Sequence, residues 1–133
     1  MYLLDTNALS EPLKLKPHAA FMQKIQNVPS DGLCTSTICV MELRYGCARK
    51  RDQNLWARIR RELLIHLQVL PFGQDEAIIA GELLASLQGA GRLVGLEDVQ
   101  IAATALARDL IVVTANEAHF SRMPNLRVAN WMS

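Results

Sequence analysis

Short apolar runs alternate along this chain with longer segments in which apolar residues recur at helical spacing. The apolar runs are residues 2–4, 33–35, 67–70, 110–114 and 127–129. Helices are predicted over residues 18–28, 38–66 (with one break), 75–87 and 97–109, and a single helical turn over 116–120. Continuous apolar strands separated by helices are typical of parallel sheets covered on both faces. The pattern therefore predicts a single α/β domain over residues 1–133, with a central parallel sheet of four or five strands flanked by helices on both faces.

Composition narrows the class of protein further. Half of the 133 residues are hydrophobic, which is enough for one buried core, but no apolar run approaches the roughly 18 residues of a membrane span. The N-terminus has no basic segment followed by a long apolar stretch, so we expect a cytoplasmic protein without membrane contact. The three cysteines of the chain lack C-x-x-C spacing. This favours reduced thiols packed in the core over zinc ligands or disulfides.

Charge is unevenly distributed along the chain, although the net charge is only +1. Residues 44–61 carry seven basic side chains and one acid, whereas residues 75–98 carry five acids and one arginine. The basic segment suits either a nucleic-acid phosphate backbone or a solvated helix face. Arg44 is the best candidate for a phosphate contact, since it lies two residues after an unusual acid, Glu42.

Several acids occupy positions where apolar residues are expected. Asp5 follows the first predicted strand, at the sheet edge where ligands bind in α/β proteins, although an ordinary turn or helix cap would also explain it. Glu42 falls within a predicted apolar stripe at positions 38, 41, 42, 45 and 46, where a carboxylate is costly unless it is paired or coordinates a cation. The alternatives for Glu42 are a solvent-facing register and a salt bridge to Arg44 or Arg49.

Three further polar residues belong to the same pattern. Asp98 begins the predicted buried stripe of the alanine-rich helix at 97–109. The alternative is an acid placed in the first turn because it interacts favourably with the helix dipole. Asn116 and Glu117 follow the clearest predicted strand, at 110–114. The alternative to a functional role for them is a turn followed by a short capped helix. Since carboxyl ends of parallel strands share one edge, we expect Asp5, Glu42, Asp98 and Asn116 or Glu117 to line one cleft. Such a cluster needs a compensating cation, and oxygen ligands suit Mg²⁺ or Mn²⁺ rather than Zn²⁺.

Five segments, in order, resemble the PIN domain of the bacterial VapC type of toxin. They are MYLLDTNALSE at the start, ST-x3-MELRYG at 36–46, Asp75 with Ala77 and Gly81, EDVQIAATAL at 97–106 and VVTANEAHF at 112–120. The resemblance implies a Mg²⁺- or Mn²⁺-dependent endoribonuclease. It also implies a cognate VapB-like antitoxin, a homodimer, an RNA substrate, and contact with promoter DNA only through the antitoxin.

The resemblance also implies a role for individual residues. Asp5, Glu42 and Asp98 match the family's metal-binding and catalytic acids. Asn116 occupies a catalytic position where the family often has aspartate, so Glu117 is a candidate substitute. Thr6 and Asn7 match the family's D-T-N opening, whose residues are expected to orient Asp5 and the bound water. Arg44, Thr114 and Glu117 complete the expected supporting or substrate-binding set.

Two other functions are compatible with the same residues. Asn116 in place of an acid favours a non-catalytic RNA- or partner-binding module, and a DNA nuclease would use the same acids. The three histidines, His18, His66 and His119, share no ligand spacing and are predicted to be surface or packing residues.

Overall fold

The computed structural model describes residues 1–92 and 94–132, so Leu93 and Ser133 of the predicted domain lie outside the described residues. Within them, the strands are β1 (Tyr2–Leu4), β2 (Leu33–Ser36), β3 (Gln68–Leu70), β4 (Ile111–Val113) and β5 (Arg127–Ala129). They form one parallel sheet in the order β3-β2-β1-β4-β5. The predicted α/β fold and its parallel sheet are confirmed.

The helices match the predicted segments apart from one addition near the N-terminus. They are α1 (Thr6–Ser10), α2 (Ala19–Asn27), α3 (Thr37–Arg49), α4 (Gln53–Glu62), α5 (Gln74–Gly89), α6 (Leu96–Ala107) and α7 (Glu117–Phe120). The predicted break in the long helix falls between α3 and α4, where Arg51 has a positive φ of 54° and the Asp52 side chain caps α4. In the described part of the chain, no helix is long and apolar enough to cross a membrane.

Helix α1 is not among the predicted helices, although a helix cap at Asp5 is one of the alternatives that the sequence allows beside a turn. The carboxylate of Asp5 accepts the amide of Ala8 at 2.9 Å, and its carbonyl accepts the amide of Leu9 at 2.8 Å. These are the contacts of a helix N-cap. The turn is therefore the start of a helix, which fixes the Asp5 side chain directly beyond β1.

Helix α3 buries a different face from the one predicted. Its buried residues are Ile38, Cys39, Leu43 and Cys47, whereas Met41 and Tyr45 of the predicted stripe are 51% and 64% exposed. The helix packs against β2, α1, α4 and α6 together, and these contacts turn the face around 39, 43 and 47 inward. Glu42 consequently lies at the margin of the buried face, where it is half-buried.

Helix α6 is the most deeply buried helix in the described residues. Its residues 101–105 are all buried, and four of its side chains are alanine, which allows close approach to α5 and the sheet. This packing holds Asp98, in the first turn of α6, at the carboxyl edge of the sheet.

The three cysteines are free and buried, as predicted. Burial raises the pKa of Cys34 to about 11, so its thiol stays protonated at neutral pH and behaves as a small apolar group.

Candidate active site

The sheet has a crevice at the carboxyl ends of β1 and β4. The chain passes from β1 to β2 and β3 on one side, and then crosses to β4 and β5 on the other. Ligands of open α/β sheets bind at this type of switch point. The amide of Asp5 donates to the carbonyl of Val113 at 3.1 Å, so the two strand ends lie side by side.

A pocket of about 120 Å³ opens at this crevice. It is lined by Asp5, Thr6, Asn7, Glu42, Asp98, Ile101, Asn116 and Phe120. The fold thus brings together all four of the predicted catalytic residues, together with Thr6 and Asn7. Three of the contributing segments lie more than 30 residues apart in sequence, so only the fold makes them neighbours.

Asp5 is the most buried acid of this pocket, at 5% exposure. Burial raises the pKa of Asp5 above its ordinary value, against the opposing effect of hydrogen bonds from the Thr114 hydroxyl and the Ala8 amide. The negative charges of Asp98 and Glu42 raise the pKa further. The carboxylate thus lies in a site that disfavours its negative charge, which a bound cation would compensate.

Glu42 is fixed by a hydrogen bond between two helices. The hydroxyl of Thr6, in the first turn of α1, donates to Oε1 of Glu42 on α3 at 2.5 Å. Among the ion pairs of the described residues, none joins Glu42 to Arg44 or Arg49, so the salt-bridge alternative is not supported. Thr6, the residue directly after Asp5, therefore directs the carboxylate of Glu42 towards the pocket.

Asp98 contacts a residue that sequence reasoning assigned to the surface. Nδ1 of His119 lies 3.2 Å from Oδ2 of Asp98 and 2.8 Å from Nδ2 of Asn116. The side chain of His119 is 54% exposed, so it lies at the surface as predicted, in contact with two residues that line the pocket. The available signal was its position three residues after Asn116, because residues i and i+3 are neighbours on a helical turn.

Three predicted supporting residues lie outside the pocket lining. Arg44 stacks on the ring of Trp56, with 5.2 Å between Cζ and the ring centroid. Glu117 accepts a hydrogen bond from Asn130 at 2.8 Å, so Asn116 rather than Glu117 occupies the fourth position of the pocket. Thr114 lies beneath the pocket, where its hydroxyl also accepts the amide of Asn116 at 2.8 Å.

The donor atoms of the pocket fit a hard divalent cation. Asp5, Glu42 and Asp98 supply carboxylate oxygens, and Asn116 supplies an amide. Among residues 1–92 and 94–132, no group of three or more Asp, Glu, His or Cys side chains is arranged so that it could hold a metal ion by itself. Mg²⁺ commonly binds through one or two carboxylates and takes its other ligands from water and phosphate, so a complete protein cage is not required.

Comparison with known proteins identifies the family of this fold and pocket. The PIN domain family matches residues 2–126, and the chain belongs to that family. It is 32% identical over 130 residues to the tRNA(fMet)-specific endonuclease VapC of Salmonella typhimurium, covering 98% of this chain and 97% of that protein.

Solved structures support the same assignment. The chain resembles FitAcB from Neisseria gonorrhoeae with a TM-score of 0.89 and 30% identity, over 98% of both chains. It also resembles VapBC2 from Rickettsia felis, solved bound to a DNA fragment from its promoter, with a TM-score of 0.87 and 26% identity over 98% of both chains. The resemblance of the five sequence segments to the VapC type of PIN domain is thereby confirmed over nearly the whole chain.

Proposed function

We propose that this chain is a Mg²⁺- or Mn²⁺-dependent endoribonuclease and the toxin of a type II toxin–antitoxin system. The observation that carries the proposal is the convergence of Asp5, Glu42 and Asp98 on one pocket at the carboxyl edge of the sheet. The raised pKa of the buried Asp5 carboxyl supports a site completed by a cation. The ribonuclease names of relatives at 32% identity support RNA as the substrate.

Each residue of the pocket has a distinct part in the proposed hydrolysis. Asp5 and Asp98 would hold the cation, with Glu42 oriented by Thr6 for a further contact with the cation or its water. The bound ion would lower the pKa of a water molecule and neutralise the phosphodiester. Asn116 has an amide that can donate a hydrogen bond to a phosphate oxygen but, unlike aspartate, adds no negative charge.

The proposed partners are a VapB-like antitoxin and a second copy of the chain. The structural relatives include VapBC complexes, one of them with promoter DNA, and we propose that this chain reaches such DNA only through its antitoxin. Large apolar side chains are exposed at Met41, Tyr45, Ile65, Ile78 and Leu96. These side chains leave apolar surface that partner chains can cover.

The proposed activity is tested by incubating the purified chain with labelled RNA and DNA oligonucleotides of matched sequence, in Mg²⁺ and in EDTA. We expect cleavage of RNA in Mg²⁺ alone, and loss of cleavage in Asp98→Asn. Glu97→Gln is the matched control, because Glu97 is the exposed neighbour of Asp98 and does not line the pocket. Cleavage in EDTA, or an Asp98→Asn protein as active as the wild type, would contradict the proposal.

A non-catalytic RNA- or partner-binding module is the second candidate, and Asn116 is the observation that favours it. Such a module would bind RNA or antitoxin equally well with and without Mg²⁺ and would yield no cleavage products at any metal concentration. Asn116→Asp separates the two candidates, because added charge in a cation site changes Mg²⁺ affinity, whereas a metal-independent module is indifferent to it.

A further inference from the structure

The contact between His119 and Asp98 gives the pocket a nitrogen donor that the acids alone lack. Nδ1 of His119 lies 3.2 Å from Oδ2 of Asp98 and 2.8 Å from Nδ2 of Asn116. The imidazole comes from α7, directly beyond β4, and Asp98 from the first turn of α6. Two separate elements thus direct a carboxylate oxygen and a ring nitrogen towards the same point.

The two contacts of Nδ1 are compatible with either tautomer of the ring. When the Asn116 amide is turned by a half-turn, its oxygen faces the ring, and a protonated Nδ1 donates to that oxygen and to Oδ2 of Asp98. In the other tautomer Nδ1 carries a lone pair, which can bind a cation that Oδ2 of Asp98 also binds.

We propose that His119 is a nitrogen ligand of the divalent ion held by Asp98, and that it supplies the donor missing where Asn116 replaces an acid. The inference rests on the proposed metal-dependent function. Adjacent ligands about 2.1 Å from an octahedral ion are roughly 3 Å apart. The 3.2 Å between Nδ1 and Oδ2 is close to that spacing, so little movement is needed for both atoms to bind.

An imidazole ligand changes which metal the site prefers. Carboxylate and water suit Mg²⁺ and Mn²⁺ alike, whereas imidazole favours transition metals over Mg²⁺. The site should therefore bind Mn²⁺ more tightly than Mg²⁺, and part of that preference should depend on His119. We expect His119→Gln to weaken Mn²⁺ binding by about 10-fold or more, and Mg²⁺ binding by much less.

Electron spin echo spectroscopy of the Mn²⁺-loaded full chain detects directly bound ¹⁴N and needs no activity measurement. We expect a ¹⁴N coupling in the wild type that disappears in His119→Gln. His66→Gln and His18→Gln are matched controls, because both histidines are exposed and neither lines the pocket; both should retain the coupling. Circular dichroism of His119→Gln checks that the fold is kept.

Two results would overturn the inference, and only the first of them is compatible with the proposed nuclease activity. If Mn²⁺ binds, is lost in Asp98→Asn and shows no ¹⁴N coupling, His119 only hydrogen-bonds Asp98, and the proposed nuclease survives. If Mn²⁺ does not bind the wild type at all, the proposed metal-dependent function fails together with the ligand role of His119.

Discussion

The two sides of the candidate pocket differ in how firmly the fold holds them. The β1 side (Asp5, Thr6 and Glu42) combines a buried carboxylate with hydrogen bonds to a helix amide and between two helices. The β4 side (Asp98, Asn116 and His119) is more exposed, and within the described residues its side-chain hydrogen bonds join these three residues only to one another. The β1 side is therefore pre-arranged by the fold, whereas the β4 side can rearrange around a ligand.

This difference has a physical cause. A carboxylate buried next to other acids loses hydration and gains repulsion, so it must be fixed by neighbouring donors. Asp5 meets that condition, whereas the partly exposed Asp98 keeps contact with water. We expect changes on the β1 side to affect both stability and catalysis, and changes on the β4 side to affect metal binding and catalysis with little effect on the fold.

The largest effect is expected from Asp5→Asn. Asparagine keeps the acceptor that caps α1 but removes the charge that would hold the cation. RNA cleavage should fall by at least about 100-fold, since even partners outside the ligand shell of a metal cost 10- to 100-fold when they are lost. Single-turnover cleavage measures this loss, and Asp31→Asn, at an exposed turn, should cleave as the wild type does. Full activity in Asp5→Asn would show that the β1 side has no catalytic part.

The same variant should gain stability when no metal is present. The folded-state pKa of Asp5 is raised, so the charged carboxylate destabilises the native state at pH values above that pKa. Asp5→Asn should therefore stabilise the metal-free protein at pH 7. The gain should disappear below about pH 4, where the carboxyl is protonated in the unfolded chain as well. Urea unfolding in EDTA at both pH values tests the sign, and a loss of stability at pH 7 would contradict it.

A smaller effect is expected from Thr6→Val, which keeps the side-chain shape but removes the hydrogen bond to Glu42. The lost bond should cost about 1 kcal/mol of stability and about 10-fold in cleavage, because Glu42 is no longer oriented. Thr6→Ser, which keeps the hydroxyl, should restore most of both. If valine and serine behave alike, the hydroxyl does not position Glu42.

The smallest effect is expected outside both sides of the pocket, at Arg44. Arg44→Ala removes the stacking contact with Trp56, which at an exposed site contributes about 0.5–1 kcal/mol. Calorimetric Mn²⁺ affinity should not change, since Arg44 does not line the pocket. If Arg44→Ala changed Mn²⁺ affinity as much as a β4-side variant does, the claim that Arg44 lies outside the cation site would be contradicted.

The sequence predicted the strands and most helices because each has a clear local signal. The run at 110–114 and the alanine-rich segment after Asp98 show the apolar patterns of a buried strand and helix. Acids beside apolar residues also predicted that Asp5, Glu42 and Asp98 belong together, because the carboxyl ends of parallel strands meet at one edge.

The remaining features depend on tertiary contacts that local patterns do not encode. Asp-Thr-Asn begins turns and helices alike, and the start of α1 was missed for that reason. The buried face of α3 depends on the elements packed around it, so Met41 and Tyr45 were placed inside although they are exposed. Asn116 and Glu117 are adjacent in sequence, and only the hydrogen bond from Asn130 shows that Glu117 lies apart from the pocket.

The most direct test of the central claim is to locate Mn²⁺ by its anomalous scattering in crystals of the chain. We predict one strong peak in the pocket, roughly 2.1 Å from carboxylate oxygens of Asp5 and Asp98, that is absent from crystals of Asp98→Asn. A pocket without a peak at saturating Mn²⁺, or a peak held by other residues, would contradict the claim that these acids converge to bind a divalent ion.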